Sequence, residues 1–168
     1  RLPLPAEPEA RPMPLDTLAL VKATQALSSR ITRDELLGTL MRLVIEQAGA
    51  QSGALLLVDA RERQSPLLLA ATAQVRLHDI DVQLRPDDSA RQRLPHRMLA
   101  FVQRSRETVL LGDTHPPHTF ERDAYLLAHQ PASALCLPIQ HRATLTGVLY
   151  LEHRTVPRLF TRERLGVL

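Results

Sequence analysis

Two dense apolar runs in the C-terminal part of the chain, Ala134–Ile139 and Leu145–Leu151, stand a few polar residues apart and predict an antiparallel hairpin. Neighbouring positions within each run are both apolar. Leu135, Leu137 and Ile139 alternate with Ala134 and Cys136, and Leu149 and Leu151 alternate with Val148 and Tyr150. A strand with one wet face alternates apolar with polar, so these two are expected in mid-sheet with both faces covered. A sheet capped on both faces can hold a small molecule between sheet and lid.

Further upstream the period is helical first and strand-like afterwards. Asp16 is a good N-cap ahead of Leu20, Ala23 and Leu27 at helical spacing. Thr32 with Glu35 forms a capping box for a second helix. Its apolar face is Leu36, Leu37, Leu40, Met41, Val44 and Ala48, and Gly49 supplies a left-handed stop. Gly53–Val58 and Leu67–Val75 read as strands joined by the loop Ala60–Pro66, with Val82–Leu84 a third strand before a break at Arg85–Asp88. Leu94–Ser105 has helical spacing at Leu94, Met98, Phe101 and Val102 and is expected to cover one sheet face. Thr108–Leu111 reads as a strand, His115–Thr119 as a loop, Glu121–His129 as a short helix, and Thr161 as the start of a last helix. Strands arriving mostly as hairpins, with helices at the ends and in one insertion, give an α+β layout around a central antiparallel sheet.

Composition narrows the class. Residues 1–14 carry prolines at 3, 5, 8, 12 and 14 and read as a disordered linker, leaving 15–168 as one domain. Cys136 is the only cysteine, which excludes an intramolecular disulfide and a cysteine-built zinc cage. No apolar run approaches the ~20 residues of a membrane span, and the N-terminus lacks a signal-peptide pattern, so a cytoplasmic setting is expected. The chain starts without Met and stops at Leu168 inside what reads as a helix, so a piece of a larger protein with a truncated final helix is expected. The isoelectric point near 9.7 suggests nucleic acid. The net charge is only +3, however, and acidic residues interleave with the arginines, as in Arg61-Glu62-Arg63, so no nucleic-acid partner is expected.

Candidate chemistry is sparse. Cys136 sits within an apolar strand, where a thiol is inert. His115 and His118, in His-Pro-Pro-His, have no helical register to aim them at one metal, and no carboxylate or thiol pattern completes a site. No paired acid and base or Ser-His-Asp order stands out, and the glycines are too scattered for a phosphate loop, so no catalytic residue is assigned. Pro138 removes a ladder donor and predicts a break or bulge there; Gly147 predicts a bulge or a close backbone approach.

Five stretches, LALVKATQALSSRI (18–31), VIEQAGAQSGALLL (44–57), SALCLPI (133–139), TGVLYLEH (146–153) and FTRERLGVL (160–168), carry a family resemblance. The chain resembles a GAF domain, and within that family it is similar to the GAF domains of bacterial hybrid kinases with Ser/Thr-kinase-like, ATPase and histidine-kinase regions. GAF hairpins often place a glycine in the turn, where this chain has Arg142-Ala143-Thr144, and His153 stands where that subgroup often has Asn. The resemblance implies a PAS-related α+β fold with a sheet of five to six strands and helices on both faces. It implies a non-catalytic sensory or regulatory domain of a cytoplasmic signalling kinase in a two-component system, joined to kinase domains in the same chain. Terminal helices would pair in a homodimer, with Leu15, Leu18 and Val21 off the core face and free for a partner. A small-molecule pocket under the lid would be walled by Phe101, Asp113, His118, Phe120, Leu135, Leu137 and Tyr150; the resemblance names no cofactor. The alternative is a dimerisation and relay module without a ligand, distinguished by a packed aliphatic interior in place of a cavity lined by convergent polar groups.

Overall fold

Thr32 opens the first described helix in the way its sequence predicts. Its hydroxyl accepts from the Glu35 amide at 3.3 Å, and the Glu35 carboxylate accepts from the Thr32 amide at 2.8 Å. The computed structural model describes residues 32–62, 64–112 and 118–166, with the backbone alone described at His118. Helix α1 (Arg33–Ala48) runs from this box to Gly49, which ends it at φ 66°. The linker at 1–14, the helix expected from Asp16, and Leu15, Leu18 and Val21 lie outside the described residues.

Strands β1 (Ser52–Val58), β2 (Leu67–Arg76), β3 (Asp79–Leu84), β4 (Val109–Leu111), β5 (Ser133–His141) and β6 (Thr144–His153) form one six-stranded sheet in the order β3-β2-β1-β6-β5-β4. All pairings are antiparallel. The predicted hairpin is β5–β6, and β6 lies between β1 and β5 in mid-sheet. Strand β3 begins at Asp79, earlier than the expected Val82, because Ile80 is already buried against α1.

Period-two alternation gives the sheet two cores. Leu55, Ala71, Leu135, Leu149 and Leu151 pack with Met41 and Ile45 of α1 on one face. On the other face, Ala54, Leu56, Ala134, Cys136, Val148 and Tyr150 meet a helical lid. Burying a leucine such as Leu55, Leu56, Leu135 or Leu151, each 2% exposed or less, stabilises the fold by about 1.5–3 kcal/mol.

The lid contains α2 (Asp88–Gln92), α3 (His96–Ser105) and α4 (Ala124–His129). Where the sequence reads as a break, Asp87 caps α2 by accepting from the Ala90 amide at 3.1 Å. Helix α3 starts at His96 and not Leu94, because Pro95 stands at its cap. Helix α4 starts at Ala124 and not Glu121, behind a 3-10 turn at His118–Phe120 where a loop was expected.

At the C-terminal end, the Leu165 amide donates to the Thr161 carbonyl at 3.0 Å. The Arg164 amide donates to the Thr161 hydroxyl at 3.2 Å. This is a single hydrogen-bonded turn, and no helix forms there among the described residues.

Three local features explain the hairpin. A Cβ on Gly147 would lie 2.6 Å from the Leu56 carbonyl oxygen, so β1 and β6 approach too closely there for any side chain. Strand β4 pairs only with Ala134–Cys136, so Pro138 lies where β5 has a strand neighbour on one side. The register shift falls between Ile139 and Gln140, next to it. In the two-residue turn Arg142 and Ala143 both take positive φ, 50° and 64°. That is the geometry a tight hairpin prefers, here adopted without glycine.

Candidate ligand site

Strand parity sets the chemistry of the lid face. Tyr150 and Glu152 project two residues apart on β6, and Ser52 on β1 stands opposite Glu152. Glu152 is a carboxylate only 3% exposed. The Tyr150 hydroxyl donates to its Oε2 at 2.7 Å. The Ser52 hydroxyl donates to Oε1 at 3.0 Å. The Tyr125 hydroxyl, reaching down from α4, sits 2.8 and 2.9 Å from the two oxygens. Three hydroxyls from β1, β6 and the lid thus converge on one buried acid, which satisfies its desolvated oxygens.

Asp123 positions the lid helix that carries Tyr125. This residue is 1% exposed, and its Oδ1 accepts from the amides of Tyr125 and Leu126 at 3.0 and 3.3 Å. Its Oδ2 accepts from the Arg97 amide, in the first turn of α3, at 2.8 Å. Pro95 offers α3 no side-chain cap, so Asp123 serves both helix N-termini.

The Tyr125 ring meets Tyr150 edge-on, with centroids 6.4 Å apart at 85°. On its other side it stacks on His129 at 4.2 Å and 21°. Burial first, then the charge of Glu152, pushes both phenols well above the ordinary tyrosine range. The hydroxyls therefore remain protonated donors. The guanidiniums of Arg154 and Arg93 act on Tyr125 in the opposite direction.

Around these groups lies a cavity of about 240 Å³ between lid and sheet. Thr72 and Gln74 of β2 and Asp81 and Gln83 of β3 form its polar floor. Ala90, Arg93 and Leu94, on and just after α2, form the roof, and Arg76 and Arg154 flank it. Arg76 pairs with Asp81 at 3.5 Å, an exposed pair worth about 0–1 kcal/mol. Arg93 donates from Nε to the Ser89 carbonyl at 3.4 Å. Neither Arg93 nor Arg154 makes an ion pair among the described residues.

Of the residues expected to wall a pocket, those that are described do not share one cavity. Tyr150 lines the cavity. Phe101 and Phe120 meet edge-on at 5.5 Å inside the lid-face core and stay outside the cavity lining. Leu135 and Leu137 belong to the opposite core, because the lid-facing positions of β5 are Ala134 and Cys136. Asp113 and His115 lie outside the described residues, as does the side chain of His118. Cys136 is buried, and burial pushes its thiol far above the ordinary range, as an inert core residue requires.

Sequence reasoning missed Glu152, Tyr125, Ser52, Arg93 and Arg154. One signal was present: an acid continuing the inward face of an otherwise apolar strand, two residues past Tyr150. Among the described residues no group of His, Cys, Asp or Glu is arranged to hold a metal ion. No helix among them is long and apolar enough to cross a membrane.

The family model for the GAF domain matches residues 32–168, most of the chain. The chain belongs to the GAF domain family. This GAF domain is 26% identical over 140 residues, 82% of its length, to histidine protein kinase 1 of Candida albicans. It is 32% identical over 71 residues, 42% of its length, to hybrid signal transduction histidine kinase G of Dictyostelium discoideum. It spans only 5% and 2% of those two proteins. Among solved structures, it resembles the GAF domain of an Acinetobacter phosphoenolpyruvate-protein phosphotransferase with a TM-score of 0.57 and 21% identity, covering 88% of this chain and 82% of that one. That likeness bears on the fold alone. The six-stranded antiparallel sheet with helices on both faces is an α+β GAF fold.

Proposed function

We propose that this GAF domain is the non-catalytic sensory or regulatory part of a cytoplasmic signalling kinase, and that a small molecule enters the cavity beside Glu152. The observation that carries the reading is the buried carboxylate at the cavity wall, held by three hydroxyls of which one belongs to a lid helix. A ligand that meets Glu152 changes what Tyr125 bonds to, and Asp123 couples a displacement of α4 to α3. Differential affinity for two lid positions then shifts the balance between them. The shift passes to helices at the domain ends, through which two copies pair, and onward to kinase domains in the parent chain. The kinship to histidine kinases supports that output.

The ligand-free relay reading calls for a filled aliphatic interior. A cavity with convergent polar groups favours sensing instead. The test is capture: purified protein is incubated with a small-metabolite extract, gel-filtered and denatured, and the released compounds are identified by mass spectrometry. A compound enriched by the wild type and lost in Thr72→Trp, which fills the cavity floor, is expected. Equal retention by both proteins, or no enrichment, overturns the reading.

A further inference from the structure

The cavity has a charge arrangement that its place in the fold does not explain. Three hydroxyl protons meet the Glu152 carboxylate, which offers about four lone-pair sites. One acceptor site remains, beside a buried negative charge with no cation in contact among the described residues. Arg93 and Arg154 supply two positive charges to the same cavity, both on exposed residues and neither ion-paired among the described residues. A negative pole inside and a positive pole toward solvent suit a ligand of opposite polarity at each end.

Size narrows the ligand further. A cavity of about 150 Å³ holds benzene, so the 240 Å³ here scales to about ten non-hydrogen atoms. The cavity opens to solvent, so this volume measures the part of a ligand that it encloses. The floor is hydroxyl and amide from Thr72, Gln74 and Gln83, together with the Asp81 carboxylate, which is paired with Arg76 at 3.5 Å; it favours a polar middle over an aliphatic one.

We propose that the cavity binds a small polar α-amino acid, its ammonium on Glu152 and its carboxylate on Arg93 and Arg154. The proposal rests on the reading of this cavity as the ligand site and adds the ligand class. An ammonium takes the open lone-pair site and neutralises the buried charge, and a guanidinium fork matches a carboxylate in plane.

Isothermal titration of the chain with L-glutamine, L-asparagine, L-serine and L-glutamate tests it, beside acetate, ethylammonium and L-leucine as one-ended or apolar controls. At least one of the four polar amino acids is expected to bind saturably, with the controls at least about tenfold weaker. Glu152→Gln keeps the side-chain shape and removes the charge, and is expected to weaken that binding by about tenfold or more. Arg154→Ala, on an exposed residue, is expected to weaken it as well and guards against a Glu152 variant that does not fold, with circular dichroism as the check.

Binding of acetate as tight as that of the amino acids, or binding unchanged in both variants, overturns the assignment. If no amino acid binds while the metabolite extract yields a compound whose retention needs Glu152, the ligand class falls and the cavity reading stands. If neither gives binding, both fall.

Discussion

The Tyr125 hydroxyl sits 2.8 and 2.9 Å from the two carboxylate oxygens of Glu152, joining a lid helix to the central strand of the sheet. This is the contact through which occupancy of the cavity would reach the lid. Tyr125→Phe keeps the ring, with its stack on His129, and deletes the bond. Removing one of three donors from a buried acid costs about 1–2 kcal/mol, since the half-buried position lets water replace part of it. Urea denaturation reads the loss; no change in midpoint would show that the hydroxyl carries no load.

Asp123 is the other joint of the lid. Asp123→Ala removes the acceptor of three amides, on Tyr125, Leu126 and Arg97. A lost N-cap plus a stranded buried donor is expected to cost about 2–4 kcal/mol. Asp123→Ser restores the cap of α4 but is too short for Arg97, so its stability should fall between the two. A serine variant as stable as the wild type would mean that the Arg97 bond contributes nothing.

The β5–β6 turn predicts a gain. Arg142 and Ala143 hold positive φ at a steric cost that glycine avoids. Replacing the pair with Asn-Gly is expected to raise stability by about 1 kcal/mol, seen as a higher thermal midpoint. A lower midpoint would contradict the left-handed assignment.

Alkaline pH should destabilise the domain. Burial raises Cys136, Tyr125 and Tyr150 above their unfolded values. Below those unfolded values both states hold the protons and stability is unaffected. As pH climbs past about 8.5 for the thiol and about 10 for the phenols, only the unfolded chain releases them. Stability then falls by up to about 1.4 kcal/mol per pH unit for each group. Denaturation curves from about pH 8 to 11 should show the decline, shallower above pH 10 in Tyr125→Phe. A flat profile would mean that these groups titrate in the native state.

How far the sequence discloses this domain depends on how far apart the cooperating residues lie. The hairpin is legible because its signal is local: two apolar runs, each a continuous strand, with Leu135 and Cys136 on opposite faces. The α1 box is legible for the same reason, since Thr32 and Glu35 are three residues apart. Helix α2 hides because five residues, Asp88–Gln92, leave no apolar period to detect. The cavity hides more completely. Ser52 lies 100 positions from Glu152 and Tyr125 lies 27, so their convergence comes from the sheet order and not from spacing. The alternation in β5 separates Leu135 and Leu137 from Ala134 and Cys136, but with both sets apolar it does not say which face meets the lid. The pairing with β6 gives the lid face to Ala134 and Cys136.

The central claim, that the Glu152 cavity is where a ligand acts, is tested most directly by amide chemical shifts of isotope-labelled protein during titration with the compound captured from the metabolite extract. Shifts concentrated at Ser52, Arg93, Tyr125, Glu152 and Arg154, with smaller ones along α3 and α4, are the predicted result. Shifts confined to the α1 face around Met41 and Ile45, or to the β4 edge, would contradict it.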